Sequence, residues 1–112
     1  MVARQAAARR GDVFVVALDP TIGREIKKTR PCVVLSPDEL NRHLDTVIVA
    51  PMTTGGRAYP YRVTCRFQKR DGFVVLNQLR TVDTHRLVRK IGRLSSQAIG
   101  SSLSVLQEMF NE

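Results

Sequence analysis

Apolar positions along this chain fall in short β-branched runs separated by polar connections, a rhythm of strands rather than helices. The runs "GDVFVVALD" (11–19), "RPCVVLSP" (30–37), "TVIVAPMT" (46–53), "GFVVLNQL" (72–79) and "LVRKIGRL" (87–94) are apolar with polar ends, and "YPYRVTCRF" (59–67) alternates. About six short strands with short connections predict a small barrel or sandwich, a mainly β fold. Two helices interrupt the pattern. Ser36-Pro37-Asp38-Glu39 places a serine cap, a first-turn proline and a third-position glutamate in register, so a helix of a turn or two is expected to start there and end by Asn41 or His43. A carboxy-terminal helix is expected from Ser95 or Ser96, with Ile99, Leu103, Leu106 and Phe110 on one face. Gly100 and the neighbouring serines weaken it by about 1 kcal/mol in propensity, so packing must hold it.

Length makes one domain the expectation: 112 residues bury enough surface to fold without metal or disulfide. Residues 1–9 are expected to be a disordered basic tail and 10–112 a single domain. The formal charge is +8, and fourteen of the eighteen cations are arginine, the side chain whose planar fork matches phosphate. Such a balance favours polyanionic partners, nucleic acid or an acidic protein. No apolar run approaches the ~20 residues of a membrane span, and no signal-peptide core opens the chain. Cys32 and Cys65 match no metal spacing and sit in strand runs, where free cysteine behaves as a small hydrophobe. A reducing, cytoplasmic location is the expectation.

The polar connections narrow the chemistry. The ten acids are scattered singly apart from Asp38-Glu39, which the helix start already uses, so a metal-dependent nuclease lacks its converging carboxylates. His43 and His85 read as exposed loop residues, and no phosphate-binding glycine loop of the nucleotide-hydrolase type occurs. With two Tyr, four Phe and no Trp, a base-stacking platform is poorly supplied. What remains is cations and hydroxyls. Proline restrains its own φ and the residue before it, so Arg30-Pro31 should hold an arginine at the extended mouth of a strand. Thr53 closes another strand run. RNA carries its own nucleophile in the 2′-OH, and a protein that cuts it must aid proton transfer and stabilise charge on phosphorus oxygens, work that Arg30 and Thr53 suit if they meet. Spacing alone does not bring them together. The residues by themselves support a basic, nucleic-acid-binding β-barrel, with a metal-free ribonuclease as one reading of it.

The ordered blocks "RRGDVFVVALDPTIGREIKKTRPCVVLSP", "VIVAPMTT" and "VLNQLRTVD" closely resemble the MazF/PemK (Kid) family of toxins from bacterial toxin–antitoxin pairs, from about Arg9 to the carboxy terminus. The resemblance implies an SH3-like barrel with a carboxy-terminal helix. It implies a cofactor-free, metal-independent endoribonuclease that cuts single-stranded RNA, chiefly mRNA, at short sequences to leave 2′,3′-cyclic phosphate and 5′-hydroxyl ends. It also implies a homodimer, away from membranes, silenced by a cognate MazE-like antitoxin with an acidic tail. Matched position by position, Arg30 and Thr53 are the expected catalytic pair, and Glu25 is expected to act as base or to hold Arg30. Thr21, Arg24, Lys28, Thr54, Asn77, Gln78 and Arg80 are expected to bind RNA. Two positions depart from the pattern: Arg24 replaces a histidine found in some relatives, and Asn77 stands where an acid is frequent. An amide cannot serve as a carboxylate base, so weight moves to Glu25 and Asn77 is left a binding role. Two alternatives use the same barrel without cleavage, a toxin that poisons DNA gyrase and a passive RNA-binding module.

Overall fold

A computed structural model describes residues 7–18 and 29–112. Among the described residues seven strands and two helices follow one another as β1 (Asp12–Ala17), β2 (Thr29–Val34), α1 (Asp38–His43), β3 (Thr46–Thr53), β4 (Arg62–Phe67), β5 (Arg70–Val75), β6 (Arg80–Asp83), β7 (Leu87–Arg93) and α2 (Ser96–Met109). All pairings are antiparallel, and the sheet runs β4-β5-β3-β2-β1-β7, with β6 added to β3, into a curled, barrel-like whole. β3 is the hinge of this arrangement. Its first half pairs with β6 from Thr46 to Val49, and its last two residues, Met52 and Thr53, pair with β5.

Because β2 and β3 are apolar on both faces, they read as continuous runs and separate two cores. Cys32, Val34, Val47 and Val49 join Val16, Leu18 and Val82 in one cluster. Their neighbours Val33, Ala50 and Met52 face the other way, into a second cluster with Val63, Val74, Leu76 and Ala98. The amino-terminal end of β1 is tied to β7 by the buried carboxylate of Asp12, which receives Arg93 at 2.6 Å and Lys90 at 3.2 Å.

The expected strand at 72–79 is divided. β5 ends at Val75, a 3₁₀ turn spans Leu76–Gln78, and Arg80–Asp83 forms a separate strand where a loop was expected. The expected start of β4 at 59 moves to Arg62, because Tyr61 takes φ of 69° and turns the chain before the ladder begins. Pro37, not Ser36, occupies the cap position of α1. The Ser36 hydroxyl is buried instead, donating to Asn41 Oδ1 and accepting from the Ile48 N–H at 3.0 Å. In α2, Ser95 caps by accepting from the Ala98 N–H at 3.2 Å. Ile99 and Leu106 pack on the core as expected, but Phe110 falls beyond the last turn and is 74% exposed. Among the described residues no helix is long and apolar enough to cross a membrane.

Candidate active site

Strand register brings Arg30 and Thr53 to the same end of the β2–β3 pair. The β2–β3 ladder ends with Cys32 opposite Pro51. Two residues outward on each strand stand Arg30 and Thr53, at facing strand ends and, by the two-residue period, on the same side of the sheet. Both line one cavity of about 270 Å³, together with Pro31, Met52, Thr54 and Phe67. Arg30 is exposed, at the start of β2 just before the proline, while Cys32 to Val34 behind it are fully buried. Burial behind it and the restricted backbone fix the point from which the Arg30 side chain leaves the strand, at the border of the cavity. Thr53 is half-buried, and its Oγ1 accepts from the Gly55 N–H at 3.1 Å. That bond uses an oxygen lone pair and leaves the hydroxyl proton to be donated.

The cavity contains a second arginine that sequence reasoning missed. Arg70 opens β5 and lines the same space, with Gln68 and Gly72. It arrives there through a two-residue hairpin in which Phe67 faces Arg70 and both turn residues, Gln68 and Lys69, have positive φ (50° and 65°). Such turns normally announce themselves by Asn-Gly or Asp-Gly. Gln-Lys carries no such signal, although the polar pair between two alternating segments is a hint.

Of the other expected residues, Thr54 lines the cavity, whereas Asn77, Gln78 and Arg80 are not among its lining residues. Asn77 is exposed on the 3₁₀ turn and Gln78 half-buried. Arg80 stands on β6 opposite Val49 and donates to the Leu18 carbonyl at 3.2 Å, while Arg86 donates to the Ala17 carbonyl at 3.0 Å. The two arginines thus grip the end of β1. Thr21, Arg24, Glu25 and Lys28 lie outside the described residues. Burial pushes the Cys32 thiol up to about 12 against the opposing pull of Arg80 and Arg30, so it is a neutral core group. Cys65 is likewise raised, by burial and by Asp71. His43 and His85 are exposed as expected. His85 donates its N–H to Asp83 at 2.8 Å, a bond that heads the causes holding that carboxyl below its ordinary value. Asp83 faces Thr46, at the opposite end of β3 from Thr53. Among the described residues no three His, Cys, Asp or Glu side chains gather where they would hold a metal ion.

A larger open groove of about 1070 Å³ runs between β4–β5 and α2, lined by Arg62, Arg66, Lys69, Phe73 and Ser101 among others. Thr54, Cys65 and Gly72 border both this groove and the Arg30–Thr53 cavity.

Residues 9–110 match the family of PemK-like, MazF-like toxins of type II toxin–antitoxin systems. The chain belongs to this family. Among curated relatives, the endoribonuclease toxin ChpB of Escherichia coli (strain K12) is 33% identical over 111 residues, covering 93% of this chain and 95% of that protein. The endoribonuclease toxin MazF of the same strain is 38% identical over 72 residues, and the match spans 64% of this chain and 65% of that relative, a little under two thirds. Among solved structures, MazF from Deinococcus radiodurans superposes with a TM-score of 0.82 at 20% identity, covering 94% of this chain and 97% of that one. The family match takes in β2 and β3, which carry Arg30 and Thr53, as well as residues 19–28, which include Glu25.

Proposed function

We propose that this chain is a metal-independent endoribonuclease toxin acting on single-stranded RNA, and that Arg30 and Thr53 carry the chemistry. The observation that supports this most directly is that the two side chains, far apart in sequence, line one cavity. In the proposed reaction the substrate's own 2′-oxygen attacks the adjacent phosphorus and the bond to the 5′-oxygen breaks. The proton lost from the 2′-OH goes to a base, and the 5′-oxygen gains one as it leaves, giving a 2′,3′-cyclic phosphate and a 5′-hydroxyl. Negative charge builds on the non-bridging oxygens as the fifth bond forms. Arg30 neutralises it with a forked donor, Arg70 adds a second positive charge at the same cavity, and the Thr53 hydroxyl donates to one oxygen. Each well-aimed donor of this kind contributes on the order of 3 to 4 kcal/mol to the transition state. Glu25 is the proposed base, or the carboxylate that holds Arg30. Asn77 as an amide takes no proton-transfer role.

A +8 chain draws RNA into the site and also suits an acidic silencing partner. The family is one of toxin–antitoxin pairs. We therefore propose a cognate antitoxin with an acidic tail over the cavity, a homodimer as the active form, sequence selectivity set around the cavity, and a cytoplasmic site of action that suits two free cysteines.

The test is incubation of a long defined single-stranded RNA with the purified protein in EDTA. Cleavage that persists and leaves cyclic-phosphate ends at a recurring short sequence is expected. Strict dependence on added divalent metal sinks the mechanism. Trapped gyrase–DNA complexes without RNA cleavage would favour the gyrase poison, and salt-sensitive binding without turnover the passive module.

A further inference from the structure

The segment after Thr53 carries Gly55 and Gly56, which on sequence grounds look like slack in a polar loop. The structure gives them a neighbour. The Arg62 guanidinium lies against this turn, where its Nη1 donates to the Gly55 carbonyl at 3.4 Å and to the Arg57 carbonyl at 3.3 Å. Gly56 has φ of +88°, and a Cβ there would collide with the Arg62 guanidinium. The φ favours glycine, and a larger residue would have to push the guanidinium out of this position. The guanidinium is held on its faces as well. Its carbon stands 4.3 Å from the Tyr59 ring centroid and 5.3 Å from that of Phe73. Phe73 is the residue paired with Thr53 across β3 and β5. The Arg62 Nε is buried and has no hydrogen-bond partner among the described residues, so rings and carbonyls, not a carboxylate, fix this side chain.

These contacts form a chain that ends on the proposed catalytic hydroxyl. Arg62 holds Gly55 by its carbonyl, and Gly55 in turn donates its N–H to Thr53 Oγ1 at 3.1 Å. On the far side, Gly72 lies so close to the Thr53 carbonyl that a Cβ would run into it. We propose that Arg62 is a positioning residue for Thr53: its stacked guanidinium keeps the turn at 55–56 in place, so that the Thr53 oxygen is occupied by the Gly55 N–H and the hydroxyl proton is left for a phosphate oxygen. The proposal rests on the ribonuclease reading for its consequence in catalysis, but not for the contact itself. Its rival is that Arg62, at the edge of the larger groove, touches RNA directly.

Arg62→Met and Arg62→Lys separate the two. Lysine keeps the charge but lacks the planar fork that stacks and reaches two carbonyls. Both variants are expected to lower kcat on single-stranded RNA about 10-fold while KM stays within about 2-fold. The Gly55 amide is expected to exchange its hydrogen about 10-fold faster, with the sheet amides of Val33, Val49 and Val74 unchanged as the control for folding. In a Thr53→Ala background, Arg62→Met should cost nothing further, because the group it positions has gone. A rise in KM with kcat intact and a shallower salt dependence, rescued by lysine, overturns the proposal in favour of a direct RNA contact. Unchanged Gly55 exchange overturns it as well. If the unmodified protein cuts no RNA, the ribonuclease reading falls, and the exchange measurement alone then decides whether Arg62 holds the turn.

Discussion

In the sheet order β4-β5-β3-β2, β3 carries Thr53, the adjacent β2 carries Arg30, and β4, one strand beyond β5 on the other side, carries Arg62; the fold treats the two arginines in opposite ways. Arg30 is exposed at a strand mouth, lines the cavity and is directed by backbone restraint from Pro31. Arg62 is half-buried, laid over Tyr59 and Phe73 and spent on two loop carbonyls. A guanidinium whose donors are committed to the protein shapes its surroundings, whereas one left facing a cavity is available to a phosphate. Residue type does not distinguish the two; exposure and partners do.

The sharpest way to break this contrast is to remove the available arginine. Arg30→Ala is expected to reduce RNA cleavage by about 1000-fold, and Arg30→Lys to recover little of it, because a point charge does not replace a forked donor. Thermal unfolding should barely move, since the side chain is exposed. If Arg30→Ala cleaves nearly normally, Arg30 leaves the mechanism. Thr53→Ala comes next, with an expected loss of about 100-fold and recovery in Thr53→Ser, which restores a hydroxyl. A serine variant as poor as alanine would mean that packing, not the hydroxyl, is what Thr53 supplies. Initial cleavage rates on one RNA with a mapped site check both.

Gly72→Ala tests the other wall around Thr53. Its Cβ would press on the Thr53 carbonyl, which is backbone and cannot swing away. A loss of about 2 kcal/mol in stability is expected. A fall of about 10-fold in kcat should accompany it, since a displacement of the catalytic group on the order of 1 Å is enough. Denaturant melts and kcat measured on the folded fraction keep the two effects apart. Full activity in a folded Gly72→Ala protein would show that the backbone at Thr53 has room to adjust.

How far the sequence revealed this arrangement varies residue by residue. The strands β2 and β3 were legible because β-branched runs buried on both faces leave few alternatives, and Arg30-Pro31 was legible because proline's restraint is local. β6 was not, since "RTVD" is short, polar at three of four positions, and becomes a strand only by pairing with β3. Arg70 was hidden by a hairpin turn with no glycine or asparagine in it, and Arg62 by a contact with Gly56 that depends on how the loop folds back. Thr54, expected to bind RNA, lines the cavity. Asn77 and Gln78 came from the family pattern, and the 3₁₀ turn that breaks the expected strand sets them outside the cavity lining. Local signals thus identified the available arginine, and only tertiary packing identified the committed one.

The smallest expected effect on catalysis concerns Cys32, which lies two residues from Arg30 on β2. Arg30 and Arg80 both act to lower the thiol's pKa, yet burial dominates and pushes it up to about 12 from 9.0. Burial outweighs both cations, so the thiol keeps its proton at neutral pH. In the unfolded chain the thiol ionises near 9.0, and in the folded chain near 12. Between those values the unfolded state has lost a proton that the folded state keeps, so stability is full below about pH 9 and declines as pH rises toward 12. Cys32→Ala should flatten that part of the stability curve, at the cost of a small cavity, and change cleavage at neutral pH by no more than about 2-fold. Iodoacetamide at pH 8 should leave Cys32 unmodified in the native protein, as thiolate is the reacting form. Rapid native-state alkylation of Cys32 would mean that burial does not keep this thiol protonated and shielded.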